Sequence, residues 1–266
     1  MLKIQSLASG SKGNSTYVGS SEVSLLVDLG LGIRDIMARL KAARVAPESI
    51  QGIIVTHEHS DHVSGISAFL KRFSACKLYV HKDAKECFVR RIGFVPDDRI
   101  TVFSQPFSIG EIMVDFFSLP HDSEFCFGFT FTHGPAKVAI ATDLGYASND
   151  VLKKMAGAQV VVIEANHDIV KLGHNLKYPK WLKDRIAGNR GHLSNNACGE
   201  AVYKLASLGV LQVVLAHLSE ENNSPTLAFS VVSKFLASKG IFEGTDISID
   251  VASQHEVGMA YEIGLD

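Results

Sequence analysis

The chain has 266 residues, 46% of them hydrophobic, which is enough apolar material for the core of one large domain or two small ones. Its formal charge is −2 and its pI is near 6.6, so no global basic field draws in nucleic acid or an anionic membrane, and any phosphate-binding surface has to be local. Cys76, Cys87, Cys126 and Cys198 form no C-x-x-C pair and read as reduced, buried thiols; no leader-like segment or membrane-length apolar run is present, so the expected location is cytoplasmic.

Residues 2 to 7 alternate as a half-buried strand. The turn Ala8-Ser9-Gly10-Ser11-Lys12-Gly13-Asn14-Ser15 follows, then a strand at 16–18. This turn is either a plain hairpin connection or a rim whose N–H groups, with Ser11 and Asn14, bind a phosphate or order a neighbouring loop. Leu25-Leu26-Val27 is an apolar strand ending in Asp28, whose carboxylate needs a partner in such a setting. A helical period spans 33–43.

Ile53-Ile54-Val55 reads as a buried strand opening onto Thr56-His57-Glu58-His59-Ser60-Asp61-His62. That position, past the C-terminal end of a strand, is where open α/β sheets form ligand crevices. His57 and His59 stand two apart on extended backbone and can converge on one cation, while Asp61 and His62 can face a second. Imidazole and carboxylate without thiolate form the donor set of Zn, Mn or Fe.

A helix is expected over 63–73, a strand over 77–80 and a helix over 82–91, with His81 as a structural residue at its start. The strand at 112–119 ends at Pro120-His121-Asp122. Residues 126–132 pair with 137–142 around a turn, and the second of these strands ends at Asp143-Leu144-Gly145. An apolar strand at 158–163 closes on Glu164-Ala165-Asn166-His167-Asp168. An irregular stretch with Tyr178, Pro179 and Trp181 follows, then a helical run to 186. In Gly191-His192-Leu193-Ser194-Asn195, either Ser194 or Asn195 can cap a helix over 196–207. The strand at 210–216 ends in His217-Leu218-Ser219; a helix over 226–238 and strands over 247–251 and 257–263 complete the chain.

The H-x-H-x-D-H string, followed in order by His121, Asp143 and His217 at strand ends, resembles the signature of the metallo-β-lactamase fold superfamily of hydrolases. The resemblance implies an α/β fold, a four-layer αββα sandwich built as a single domain over 1–266. It implies two divalent metal ions (Zn, Mn or Fe), with His57, His59 and His121 on the first, Asp61, His62 and His217 on the second, and Asp143 between them. Asp28 would brace the metal loop. Such ions, about 3.5 to 4 Å apart, hold a hydroxide as nucleophile, and Asp61, His192 and Asp28 are the residues expected to serve catalysis.

His217 followed by Ser219 resembles the ending of the nuclease branch that contains ribonuclease Z and ribonuclease J. Gly191-His192-Leu193-Ser194 is similar to an element of ribonuclease Z, which implies that His192 binds the scissile phosphate or protonates the leaving oxygen. The segments at 7–15, 164–168, 191–195 and 217–223 together resemble the WalJ/VicX group, also called YycJ-like, over almost the whole chain. The group's activity implies a 5′-to-3′ exonuclease acting on DNA ends. Ser11, Asn14, His192 and Ser219 are the expected substrate contacts, Asn166 and His167 either line the rim or cap the chain that follows, and with no basic field or membrane-length apolar run no membrane partner is expected. Only 74 positions separate Asp143 from His217, too few for the large insertion of ribonuclease J; the 22 from His121 to Asp143 leave no room for a tRNA-gripping arm. A metal-dependent hydrolase of a lactone or thioester, or a non-catalytic metal-binding regulator, is the alternative, because pocket contacts rather than scaffold choose the substrate.

Overall fold

Val160-Val161-Val162-Ile163 and Val213-Val214-Leu215 have no polar face, the pattern of strands covered on both sides. In the computed structural model, which describes residues 1–93 and 95–264, both segments lie inside one seven-stranded sheet. That sheet comprises β7 (Phe107–Ile109), β8 (Ile112–Ser118), β9 (Phe127–His133), β10 (Ala136–Ala141), β11 (Val160–Glu164), β12 (Gln212–Ala216) and β13 (Ser248–Val251), adjacent in that order. The other sheet runs β1 (Leu2–Ala8), β2 (Ser15–Gly19), β3 (Ser24–Val27), β4 (Gly52–Ile54), β5 (Lys77–His81) and β6 (Ile100–Phe103). Its outer neighbour beyond β1 is β14 (Ala260–Ile263), which returns antiparallel with Leu2 opposite Ile263.

The helices are α1 (Ile33–Ala42), α2 (Ser60–Val63), α3 (Ile66–Arg72), α4 (Lys85–Ile92), α5 (Asn149–Met155), α6 (Ile169–His174), α7 (Lys180–Ile186), α8 (Asn195–Ser207) and α9 (Pro225–Ser238). Strand alternation sorts the core. Val160, Val162 and Val214 join Ile4, Leu25 and Phe129 between the sheets. Their neighbours Val161, Ile163, Val213 and Leu215 turn the other way, onto Met155 of α5, Leu205 of α8 and Leu236 of α9. Helices therefore flank two face-to-face sheets, the αββα sandwich expected from the sequence.

Each sheet contains four successive parallel strands, β3 to β6 in one and β10 to β13 in the other. Parallel strands end on the same edge, so the loops leaving β3, β4, β10, β11 and β12 are brought together. Among the described residues no helix is long and apolar enough to cross a membrane, and all four cysteines are free and buried.

Three segments differ from the sequence reading. The expected helix over 63–73 is broken between α2 and α3, where the Gly65 N–H donates to the Leu29 carbonyl at 2.9 Å instead of to the preceding turn; only glycine fits there, since a Cβ would lie 2.0 Å from the Leu31 carbonyl oxygen. The stretch read as irregular contains α6, whose first turn is capped by Asp168 accepting from the N–H groups of Val170 and Lys171. The edge strands β6 and β7 and the helix α5 add to the expected elements.

Candidate metal centre

Three loops leave their strands through a non-glycine residue in the left-handed region: Asp28 (φ 61°), Asp143 (φ 62°) and His217 (φ 53°). Asp and His tolerate this conformation better than bulkier residues do, which suits them to abrupt turns at a sheet edge. Asp28 and Asp143 are each followed by Leu-Gly. At Gly30 a Cβ would stand 1.6 Å from the Asp61 carbonyl oxygen, so glycine lets this loop nest against the metal-ligand string.

The donor atoms of His57, His59 and His121 lie within 4.8 Å of one another, as do those of Asp61, His62 and His217. Asp143 touches both sets: its carboxylate is 3.7 Å from His121 Nε2, 3.2 Å from His62 Nε2 and 3.3 Å from His217 Nδ1. Asn14 completes the wall, its amide nitrogen 3.0 Å from His62 Nε2 and 3.3 Å from Asp61 Oδ2.

What orients the rings is a set of partners behind them. His62 Nδ1 donates to Asp28 Oδ2 at 2.7 Å, and Asp28 also accepts from the Thr56 N–H and hydroxyl at 2.8 and 2.7 Å. His121 Nδ1 donates to the Gly191 carbonyl at 3.0 Å. His217 Nδ1 donates to Glu164 Oε1 at 2.8 Å, and His192 Nδ1 donates to the same oxygen at the same distance. Glu164 Oε2 accepts from the N–H groups of Leu144 and Leu193. With one nitrogen of each ring so engaged, the other is left for a ligand. His57 Nε2 and His217 Nε2 are buried without a hydrogen-bond partner among the described residues. Such atoms are costly unless something fills the space between them, and a divalent cation fits both their chemistry and the neighbouring carboxylates.

The electrostatics carry the same demand for positive charge. Burial opposes ionisation of Asp143, yet His217 and His62 hold its carboxyl well below the usual range. Burial would likewise discharge His217, but Asp143, Asp61 and Glu164 carry it up to about 10. His62 is raised against its burial by Asp143 and Asp28. His57, buried and crowded by His62, is driven well below its ordinary value. Protons on His62 and His217 thus balance carboxylates that a cation would otherwise neutralise.

Not every residue singled out in the sequence reaches this centre. Asn166 donates its amide to the His217 carbonyl at 2.9 Å, and Ser219 N–H donates to the Asn166 carbonyl, so the two tie the loop after β11 to the loop after β12. Ser11 is exposed on the rim. His167 is buried, its Nδ1 has no hydrogen-bond partner among the described residues, and it lines a groove between α6 and α7. Sequence reasoning overlooked Glu164, although an acid closing a buried strand is the signal that picked out Asp28. It also overlooked Asp122, whose Oδ1 lies 3.3 Å from His121 Nε2 and whose Oδ2 accepts from Arg185. A cleft of about 460 Å³ opens beside His121, between Phe125, Tyr146 and Arg190.

The sequence profile described as "Beta-lactamase superfamily domain" matches residues 24–218. An "Exodeoxyribonuclease YycJ" of Bacillus anthracis is 35% identical over 245 residues, covering 91% of this chain and 92% of the relative. An "Exodeoxyribonuclease WalJ" of Streptococcus pneumoniae is 32% identical over 251 residues, covering 93% of each. Among solved structures, the metallo-beta-lactamase fold protein YhfI from Bacillus subtilis superposes with a TM-score of 0.74 at 16% identity, over 98% of this chain and all of that one. Human tRNase Z, short form, gives 0.63 at 16% identity, over 99% and 100%. The profile match, the extent of the curated relatives and the shared fold together establish that this chain belongs to the beta-lactamase superfamily, in the group of the YycJ and WalJ proteins.

Proposed function

We propose that this chain is a dinuclear metal-dependent phosphodiesterase that removes nucleotides from the 5′ end of a DNA strand. The observation that carries the reading is the pair of three-residue donor sets facing each other across Asp143. The curated relatives named as exodeoxyribonucleases, similar over nine-tenths of the chain, supply the substrate class. In this reading His57, His59 and His121 hold one ion and Asp61, His62 and His217 the other, with Asp143 shared.

Bound divalent ions would supply Lewis acidity, activating water and neutralising charge on the phosphate. The chain's own residues do the rest. Asp28 and Glu164 fix the tautomers of His62 and His217, so that Nε2 of each is the free nitrogen. His192 is close enough to serve the same reaction, its ring centroid 5.1 Å from that of His121 and 5.3 Å from that of His217. Burial opposes its charge, but Glu164 raises its affinity for a proton, which suits it to hold the scissile phosphate and protonate the leaving oxygen. Asn14 reaches Asp61 and His62 directly and keeps that side of the centre closed.

The test is release of mononucleotides from a 5′-phosphorylated DNA strand, with and without a chelator, together with elemental analysis of protein purified without added metal. The expected result is two ions per chain and chelator-sensitive release, lost in the His59→Ala, Asp61→Ala double variant. Persistence of activity in that variant, or turnover of lactones but not of bis-p-nitrophenyl phosphate, overturns the proposal.

A further inference from the structure

Between Asp168 and His192 the chain places Lys171, Lys177, Lys180, Lys183, Arg185 and Arg190 against a single acid, Asp184. This stretch is +5 in a chain whose total is −2, so the remainder is −7. Local basicity of this kind is what the overall charge left open. The same stretch holds Trp181, the only tryptophan, 65% exposed, and Leu176, almost fully exposed. The core makes little use of either side chain, and an exposed indole among cations is how sequence-tolerant single-strand platforms are built: bases stack on the ring while cations follow the backbone.

Geometry connects this surface to the metal centre. Trp181 and Arg185 are four apart on α7 and share a face. Arg185 donates to Asp122, whose other oxygen is 3.3 Å from His121 Nε2. One helical turn along this face leads from Trp181 to Arg185, and Asp122 links Arg185 to the ligand set. Lys171, Lys183 and Arg190 bond to carbonyl oxygens of Asn223, Gly173 and His121, and among the described residues no carboxylate pairs with them. Lys177 and Lys180 make exposed ion pairs with Glu221 and Asp184. Pairs of that kind are weak, and a phosphate can displace the carboxylate. A groove of about 410 Å³ between α6 and α7 is lined by Lys180, Lys183 and His167.

We infer that the α6–α7 segment is the docking platform for single-stranded DNA, with Trp181 stacking on a base and the surrounding cations carrying the backbone toward the metal centre. The direction of travel rests on the phosphodiesterase reading; the binding itself does not. A second copy of the chain suits this face poorly, since a twofold contact would set one +5 segment against another.

Trp181 emission reports on its own surface. With metal-loaded protein, a phosphorothioate thymidine oligonucleotide that resists cleavage should quench the fluorescence saturably, with an affinity that falls steeply as salt rises. Trp181→Ala should raise KM for single-stranded DNA by about tenfold or more. The Lys177→Gln, Lys180→Gln variant should reduce the salt dependence, and both variants should leave turnover of bis-p-nitrophenyl phosphate within about twofold of wild type. The inference is overturned if the wild type degrades DNA while the oligonucleotide leaves the emission unchanged and Trp181→Ala has a normal KM. It is equally overturned if anionic vesicles, or dilution of the protein alone, shift the emission and DNA does not. If the wild type hydrolyses neither ester, the phosphodiesterase reading falls, and the fluorescence titration still decides for or against the platform.

Discussion

Replacing Glu164 by Gln tests the centre at the residue that sequence reasoning overlooked. The change keeps the shape and removes the charge. Glu164 accepts four hydrogen bonds: two from imidazoles at 2.8 Å and two from backbone N–H groups at 2.9 and 3.1 Å. A glutamine amide has one accepting end, so in either orientation its NH₂ confronts two donors in a fully buried place. Losing two charge-assisted bonds at about 1.5–3 kcal/mol each predicts a destabilisation of about 3–6 kcal/mol, against a typical total of about 5–15 kcal/mol. His217 also loses the partner that sets its tautomer, and such losses cost about 10- to 100-fold in metal affinity. The pH profile supplies a further sign. Glu164 raises the His192 pKa, and a proton donor fails as pH rises through its pKa, so the alkaline limb of activity should move to lower pH in the variant. Denaturant melts, chelator-competition titrations and a pH–rate profile read these three effects. A variant with wild-type metal affinity, a destabilisation under about 1 kcal/mol and an unmoved alkaline limb would refute the role given to Glu164.

Asp28→Asn makes the corresponding change behind His62 and should weaken metal binding by a similar 10- to 100-fold, read by the same competition assay. Gly30→Ala forces a methyl group to within 1.6 Å of the Asp61 carbonyl oxygen; displacement of that loop should cost about 1–3 kcal/mol or more and abolish metal uptake, seen in thermal melts and by elemental analysis. Metal at a hundred times its dissociation constant should stabilise the protein by about 2.7 kcal/mol, a rise in Tm of about 5–10 °C that a chelator reverses. Burial holds the Cys76 thiol up at about 12 and that of Cys87 at about 11, with Cys126 and Cys198 also raised, so a thiol reagent at pH 8 should label the native protein slowly and all four sites once it is unfolded.

The ligand string after β4 was legible because a strand of apolar residues gives way at once to five chemistry-bearing side chains, and His121, Asp143 and His217 each repeat that transition. Their convergence needs two sheets whose parallel strands end on a common edge, which no local pattern states. The break at Gly65 was hidden for a related reason: it depends on Leu29 and Leu31, more than thirty residues away, approaching the backbone there. β6 and β7 are short strands at the sheet edges, where alternation is weak. α6 has six residues and owes its first turn to a side-chain cap rather than to a long apolar period. Glu164 meets His192 and His217 from 28 and 53 positions away, and Asp122 meets Arg185 from 63, so their roles become visible only after folding.

The seam between β1 and β14 bears on how the protein matures. Strand β1 waits for β14, about 260 positions later, before its outer backbone groups are satisfied, and until then a seven-residue, largely apolar edge is open to any other extended chain. Closing a register that spans 261 positions is slow, and truncation near residue 260 should therefore trap the nascent chain as aggregate rather than as a shortened enzyme.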